Sequence, residues 1–384
     1  MNRYSLTGFV PDVKYTTFMH KEKLKIYDFD GFNVNTVQKS GLIGLGIPGN
    51  YIAYSKWVTP KRTRTYPYRD IYNTFSSNAK RVTIIPIIKD EGKDGENDRI
   101  NAITLSWMNL INVYIILGWY EDADINQRNP KKKDKITNQR LNAEYVQEKL
   151  FEISKYQATA LHWNTRHFKM DFEKVYLNAV ASYQKISREK NVTMHKPKNH
   201  LDMLEKFKVD NHFSIDAFKK ETLPRSLGAV HREVVTEHEL ESLSQGIKGV
   251  FYISNYLGGE YHLSADEIYW QDEQLVIQES KNTTTGKLPS DVDIRDGLFK
   301  LILFKNMENV GFGNNINVPF VTRLKLTGNL IGKLKLPCSD DLVSNFCNLN
   351  EFKQAKQKTI RLLNQEAAEN NLQILIAKNN GKTN

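Results

Sequence analysis

The chain has only two cysteines, Cys338 and Cys347, among 384 residues. Two thiols cannot make a disulfide framework or a thiolate zinc site, so a reducing, cytoplasmic setting is the expectation. A secretory leader is not expected either, since Met1 to Val10 (MNRYSLTGFV) shows no apolar run. Long apolar runs are equally scarce. The longest, Ala102 to Tyr120, is interrupted by Thr104, Ser106, Asn109 and Asn112 and falls short of the roughly 20 residues of a membrane span. It reads as core, and no membrane partner is expected. No fixed-period repeat and no Pro-, Gly- or Ser-rich linker is visible, which excludes solenoid and low-complexity classes.

What remains is the composition of a large globular protein, 40% hydrophobic and 26% charged, with a formal net charge of +10. The excess is unevenly placed. Residues 1–210 carry 34 basic and 23 acidic side chains, whereas 211–384 carry 20 and 21. A basic first part suits a polyanion partner and a balanced second part suits a site with carboxylates; solubility alone is the competing reading.

The pattern divides the chain into an N-terminal basic domain, residues 1–215, and a C-terminal domain, residues 216–384. The first 75 residues read as strands and loops. Val82 to Ile88 reads as a strand near an edge, because Pro86 cannot donate to a ladder. Lys89 to Arg99 reads as a solvated surface turn, and Thr137 to Arg188 as two long helices with apolar residues three and four apart. After the boundary come a helix at Ala229 to Ser244 and strands at Val250 to Tyr256, Tyr261 to Trp270 and Gln274 to Glu279. A helix at Asp291 to Phe304, a strand at Pro319 to Leu326, a helix at Glu351 to Ala368 and a strand at Leu372 to Ile376 complete the order.

Within this order, Asp266 is followed thirteen residues later by Glu279 and then by Lys281. A tight turn at Gln271 to Glu273 folds the two strands into a hairpin that brings Asp266 close to Glu279, and alternation puts Glu279 and Lys281 on one face. Paired hard carboxylates suit Mg²⁺ rather than zinc. A metal there can polarise a phosphodiester and lower the pKa of a bound water, and an adjacent lysine can stabilise transition-state charge. A surface hairpin with an ordinary Glu–Lys pair is the structural alternative.

These residues resemble the D…ExK signature of the PD-(D/E)XK nuclease superfamily, and the chain as a whole resembles a type II restriction endonuclease. The core likeness covers roughly residues 225–380. Two departures stand out: Ala265 where a proline often precedes the Asp, and polar Gln278 and Ser280 where aliphatic residues commonly flank the Glu. The resemblance implies an α/β restriction-endonuclease-like core, a mixed central sheet flanked by helices, behind an N-terminal mixed α+β DNA-binding domain. It implies Mg²⁺-dependent, site-specific cleavage of double-stranded DNA as host defence in a restriction-modification system. Asp266 and Glu279 would hold the metal and Lys281 would assist the attacking water. A homodimer on a palindromic site would be expected, a monomer acting twice being the alternative, with a cognate DNA methyltransferase as a genetic rather than physical partner. The rival readings are a repair, junction or modification-dependent nuclease on the same core, and a non-enzymatic DNA-binding protein.

Other motifs are weaker. Glu233, Glu237 and Glu241 fall at helical spacing and could add an acid to the metal site, although a solvated helix face has the same spacing. His231 and His238 lack partners at metal spacing. Lys61, Arg62, Arg64 and Arg69, interleaved with Tyr66, Tyr68 and Tyr72, are candidate DNA contacts, as is Lys287 in the loop beyond the hairpin; core packing of the tyrosines is the alternative. Gly44, Gly46 and Gly49 match G-x-G-x-x-G, but the β-rich run that follows is wrong for a helix under a pyrophosphate.

Overall fold

The computed structural model describes residues 5–19, 24–60, 66–129, 131–223, 247–255, 260–312, 315 and 317–379. The chain is mixed α/β and divides into two compact units. One comprises Lys25–Thr74 and Ala79–Ala229, the other Met1–Leu24, Phe75–Asn78 and Val230–Asn384. The first strand, β1 (Ser5–Phe9), therefore belongs with the C-terminal residues rather than with the N-terminal domain in which the sequence places it. The division also sharpens the charge asymmetry. The 25–229 unit carries 33 basic and 23 acidic residues, and the other carries 21 of each.

The basic unit contains β2 (Ile26–Asp28), β3 (Ser40–Gly44), β4 (Tyr51–Lys56), α1 (Tyr66–Thr74), β5 (Lys80–Pro86), β6 (Ile88–Asp90) and β7 (Asn97–Arg99). It continues with α2 (Ala102–Leu110), β8 (Tyr114–Gly118), β9 (Tyr120–Ile125), β10 (Ile136–Leu141), α3 (Ala143–Lys155) and α4 (Ala160–Lys190). It closes with α5 (Pro197–Glu205), β11 (Lys208–Val209), β12 (His212–Phe213) and α6 (215–223). A five-stranded sheet runs in the order β2-β3-β4-β5-β8 and is parallel except at β3–β4. Strand β5 is internal but stands next to the edge strand β8, near an edge as expected. Pro86 ends it, where a missing N–H interrupts no further rung. The glycines at 44, 46 and 49 join two antiparallel strands, so no helix opens behind them to cradle a pyrophosphate.

The apolar run 102–120 does form core: every residue of α2 and β8 is buried. Strand β8 ends the sheet, and α4 seals it. Asn164 Oδ1 accepts from the Ile115 N–H at 2.7 Å, and its Nδ2 donates to the Val113 carbonyl at 3.0 Å. His167 Nε2 accepts from the Leu117 N–H at 3.0 Å, and Trp163 Nε1 donates to the Ile115 carbonyl at 2.8 Å. One helix face thereby replaces a missing strand. The expected solvated turn at 89–99 is instead a hairpin, β6 with β7, whose Asp90 is buried and accepts from Gly92 N and His195 Nδ1 at 2.8 and 2.7 Å.

In the other unit, β13 (Ile247–Ser254), β14 (Glu260–Gln271), β15 (Gln274–Asn282), α7 (Asp291–Lys305), β16 (Glu308–Phe312), β17 (Phe320–Gly328), β18 (Lys333–Leu336), α8 (Asp340–Leu349), α9 (Gln354–Glu369) and β19 (Gln373–Lys378) follow β1. Eight strands form one mixed sheet in the order β16-β1-β13-β14-β15-β17-β19-β18. Strands β13, β14 and β15 are an antiparallel meander, and β15, β17 and β19 run parallel. Helix α7 packs on β15 and β17. Ser290 caps its start by accepting from Asp293 N, and eleven consecutive residues, Ile294 to Phe304, are buried. A helix buried all round must bring its own charges to partners. The segment after β1 is strapped to α9: Glu366 accepts from Tyr15 OH at 2.8 Å and Phe18 N at 2.9 Å, and Asn370 bonds both polar backbone atoms of Thr16.

The sequence-expected helix at 229–244, with Glu233, Glu237, Glu241, His231 and His238, lies outside the described residues. Among the described residues no helix is long and apolar enough to cross a membrane.

Candidate active site

Strands β14 and β15 pair from Gln271–Gln274 up to Glu267–Gln278 and then part, β14 continuing along β13 and β15 along β17. Asp266 and Glu279 are the next residues on each strand, at the fork. The β13–β14 register shifts here, between the Gly249–Ala265 and Ile247–Ile268 pairs, as a β-bulge does when it re-aims a side chain. Asp266 uses its side chain to mend the parted ladder: its Oδ2 accepts from the Ser280 N–H at 2.8 Å.

Glu279 is nearly inaccessible, at 1% exposure, at the end of the buried run Leu275 to Glu279. It is held by two ammonium groups. Lys281 Nζ lies 3.1 Å from Oε1; Lys300 Nζ lies 2.9 Å from Oε1 and 3.1 Å from Oε2. Lys281 also reaches Asp296 Oδ2 at 3.0 Å, while Asp296 Oδ1 is buried with no hydrogen-bond partner among the described residues. Gly297 makes this approach possible. A Cβ there would stand 2.8 Å from Leu324 Cδ1 and 3.3 Å from the Cγ and Cε of Lys281, so any side chain would have to displace Leu324 and crowd Lys281.

Three carboxylates and two ammonium groups thus share one face of the sheet. Burial, then repulsion from Glu279, pushes the Asp266 carboxyl up to about 7, with Lys300, the Ser280 N–H and Lys281 pulling the other way. Burial also works to raise Glu279, but Lys300 and Lys281 outweigh it and hold the group below its ordinary value. Burial raises Asp296 against the pull of Lys281. Both lysines are raised: burial opposes the charge, and the neighbouring carboxylates overcome it.

The opposite face explains the polar residues beside Glu279. Gln278 Nε2 donates to Glu267 Oε2 at 2.5 Å, and its Oε1 accepts from Tyr269 OH at 3.3 Å. Arg323 joins Tyr269 OH, Gln271 Oε1 and Gln373 Oε1 at 2.5 to 3.1 Å. A satisfied polar layer therefore stands where aliphatic packing is the more usual solution.

Asp266, Glu279 and Lys281, singled out from sequence, are brought together. Asp296 and Lys300 were not singled out. Their signal was present: two charges four apart in the stretch Ile294 to Phe304, which is apolar apart from them and Arg295. The proposed DNA contacts fare differently. Lys61, Arg62 and Arg64 lie outside the described residues. Arg69, on α1, bonds the adjacent Asp70 at 3.1 Å, and Tyr68 and Tyr72 are core residues. Lys287 donates to the Asn350 carbonyl at 2.7 Å.

Among the described residues no group of three or more His, Cys, Asp or Glu side chains is assembled as a metal site. The donors at the fork are two carboxylates, hard oxygen ligands that suit Mg²⁺ provided water or substrate oxygens complete the shell. Comparison with protein-family models, curated proteins and solved structures finds no match to this chain.

Proposed function

We propose that the chain is a Mg²⁺-dependent endonuclease of the PD-(D/E)XK type that hydrolyses phosphodiester bonds of double-stranded DNA, as a type II restriction enzyme does. The observation that carries this reading is the convergence of Asp266, Glu279 and Lys281 where β14 and β15 part, backed by α7. Asp266 and Glu279 would hold the cation, which would supply Lewis acidity toward the scissile phosphate. Lys281, anchored by Asp296, keeps its ammonium charged and aimed where negative charge develops during attack. The 25–229 unit, which carries the whole basic excess, would supply the grip on DNA. Cutting both strands calls for two such sites, hence a homodimer.

Incubation of plasmid with the purified chain and Mg²⁺, against an EDTA control, tests the proposal. Discrete EDTA-sensitive fragments support it. Unchanged plasmid across DNAs of varied sequence and methylation overturns it and leaves a DNA-binding protein as the reading.

A further inference from the structure

Lys300 does for the fork what a divalent cation would do. Its Nζ touches both oxygens of Glu279, at 2.9 and 3.1 Å, and its charge also acts on Asp266. A buried carboxylate with a second, half-buried one acting on it needs a counter-charge. Lys300 supplies it from the middle of buried α7, tethered, with no ion to recruit. Lys281 is placed differently: it meets Glu279 at Oε1 alone and shares its charge with Asp296.

We propose that Lys300 is a built-in counter-cation that competes with the divalent metal for the Asp266–Glu279 pair, so that its charge weakens metal binding to the chain in the absence of DNA. This rests on the nuclease reading only in taking a hard divalent cation as the ligand. A lysine whose task was to position Glu279 would have the opposite effect, because its loss would disorder a metal ligand and weaken binding.

The sign is measurable with Ca²⁺ alone, by calorimetric titration of the full chain. Lys300→Gln is expected to bind Ca²⁺ at least about tenfold more tightly than wild type, since a unit charge a few ångströms away is removed. Lys300→Arg, which keeps the charge, should stay near wild type. Equal or weaker binding by Lys300→Gln overturns the inference, as does absence of Ca²⁺ binding in both proteins. Should Lys300→Gln fail to fold, nitrogen-labelled lysine spectra of the wild-type chain decide. The protected ammonium signal missing from Lys300→Arg must move as Ca²⁺ is added, and a signal that stays put while Ca²⁺ binds overturns the inference. Plasmid cleavage assayed alongside separates the two readings. Tighter Ca²⁺ binding without any cleavage refutes the nuclease and keeps the counter-cation; cleavage with unaltered Ca²⁺ affinity does the reverse.

Discussion

Lys281 and Asp296 are joined by a 3.0 Å ion pair that ties strand β15 to helix α7. The residue expected to assist catalysis is therefore not a free surface amine, because its direction is set from a second element. Lys281→Ala is expected to retain DNA binding in Ca²⁺ and to lose single-turnover cleavage in Mg²⁺ by at least about a hundredfold, the scale of one lost electrostatic contact. Asp296→Asn keeps an acceptor but removes the anchor's charge, and a smaller loss, about tenfold, is expected at unchanged DNA affinity. A cleavage rate near wild type for Lys281→Ala would remove it from the mechanism.

Glu279→Ala should be a stability variant as well as a dead one. It strips the buried Lys300 and the half-buried Lys281 ammonium groups of their shared partner, a change that costs about 3–5 kcal/mol where one side of a buried pair is removed. Glu279→Gln, which keeps the volume and one acceptor oxygen, should melt closer to wild type and remain inactive. Thermal unfolding of the three proteins checks this, and equal melting temperatures would refute it.

The Asp266 carboxyl, pushed up to about 7 in the fold, makes the metal-free chain pH-sensitive in a defined direction. In the unfolded chain an Asp titrates at about 3.9, so between roughly pH 4 and pH 7 the native state holds a proton that the unfolded state has released. This contribution to stability is fully present below about pH 4 and is lost as pH rises through about 7. Asp266→Asn cannot ionise and should flatten that part of the curve. Denaturant midpoints measured across this range in EDTA test it, and parallel curves for the two proteins would count against the raised carboxyl.

Asn164 is fully buried and satisfies backbone groups of β8. Asn164→Ala leaves the Ile115 N–H and the Val113 carbonyl without these partners, and the expected loss is about 3 kcal/mol. Urea unfolding with an unchanged slope and a lower midpoint would be the signature. A change below about 0.5 kcal/mol would mean that water replaces the amide.

Local pattern carried the hairpin, and distance in sequence defeated much else. Strands 261–270 and 274–279 were legible because alternation is a nearest-neighbour property; they extend to 260–271 and 274–282. Their turn is closed by Asp272 and Glu273, both at positive φ (49° and 60°), without the Asn-Gly pair that usually marks such a turn. Strand β1 pairs with β13 across some 240 residues, and nothing in SLTGF announces a partner so far away. Edge strands β16 and β18 are short, at five and four residues, and carry little signal of their own. For the site, Asp266, Glu279 and Lys281 lie within sixteen residues and could be read as a motif. Asp296 and Lys300 join them only through packing of α7 on the sheet, and packing is what a linear pattern does not contain.

The side chains of Trp163, Asn164 and His167 along β8 constrain how copies of this chain can associate. An open strand edge is the usual route by which two sheets fuse into one, or by which a stray extended segment adds itself to a fold. At β8 the Ile115 and Leu117 N–H groups and the Val113 and Ile115 carbonyls are already engaged by α4. An incoming strand would have to displace a whole helix face to find them. The two-fold assembly proposed for cutting both DNA strands would therefore be built through some surface other than this edge, leaving β8 as shut in the pair as it is in the single chain.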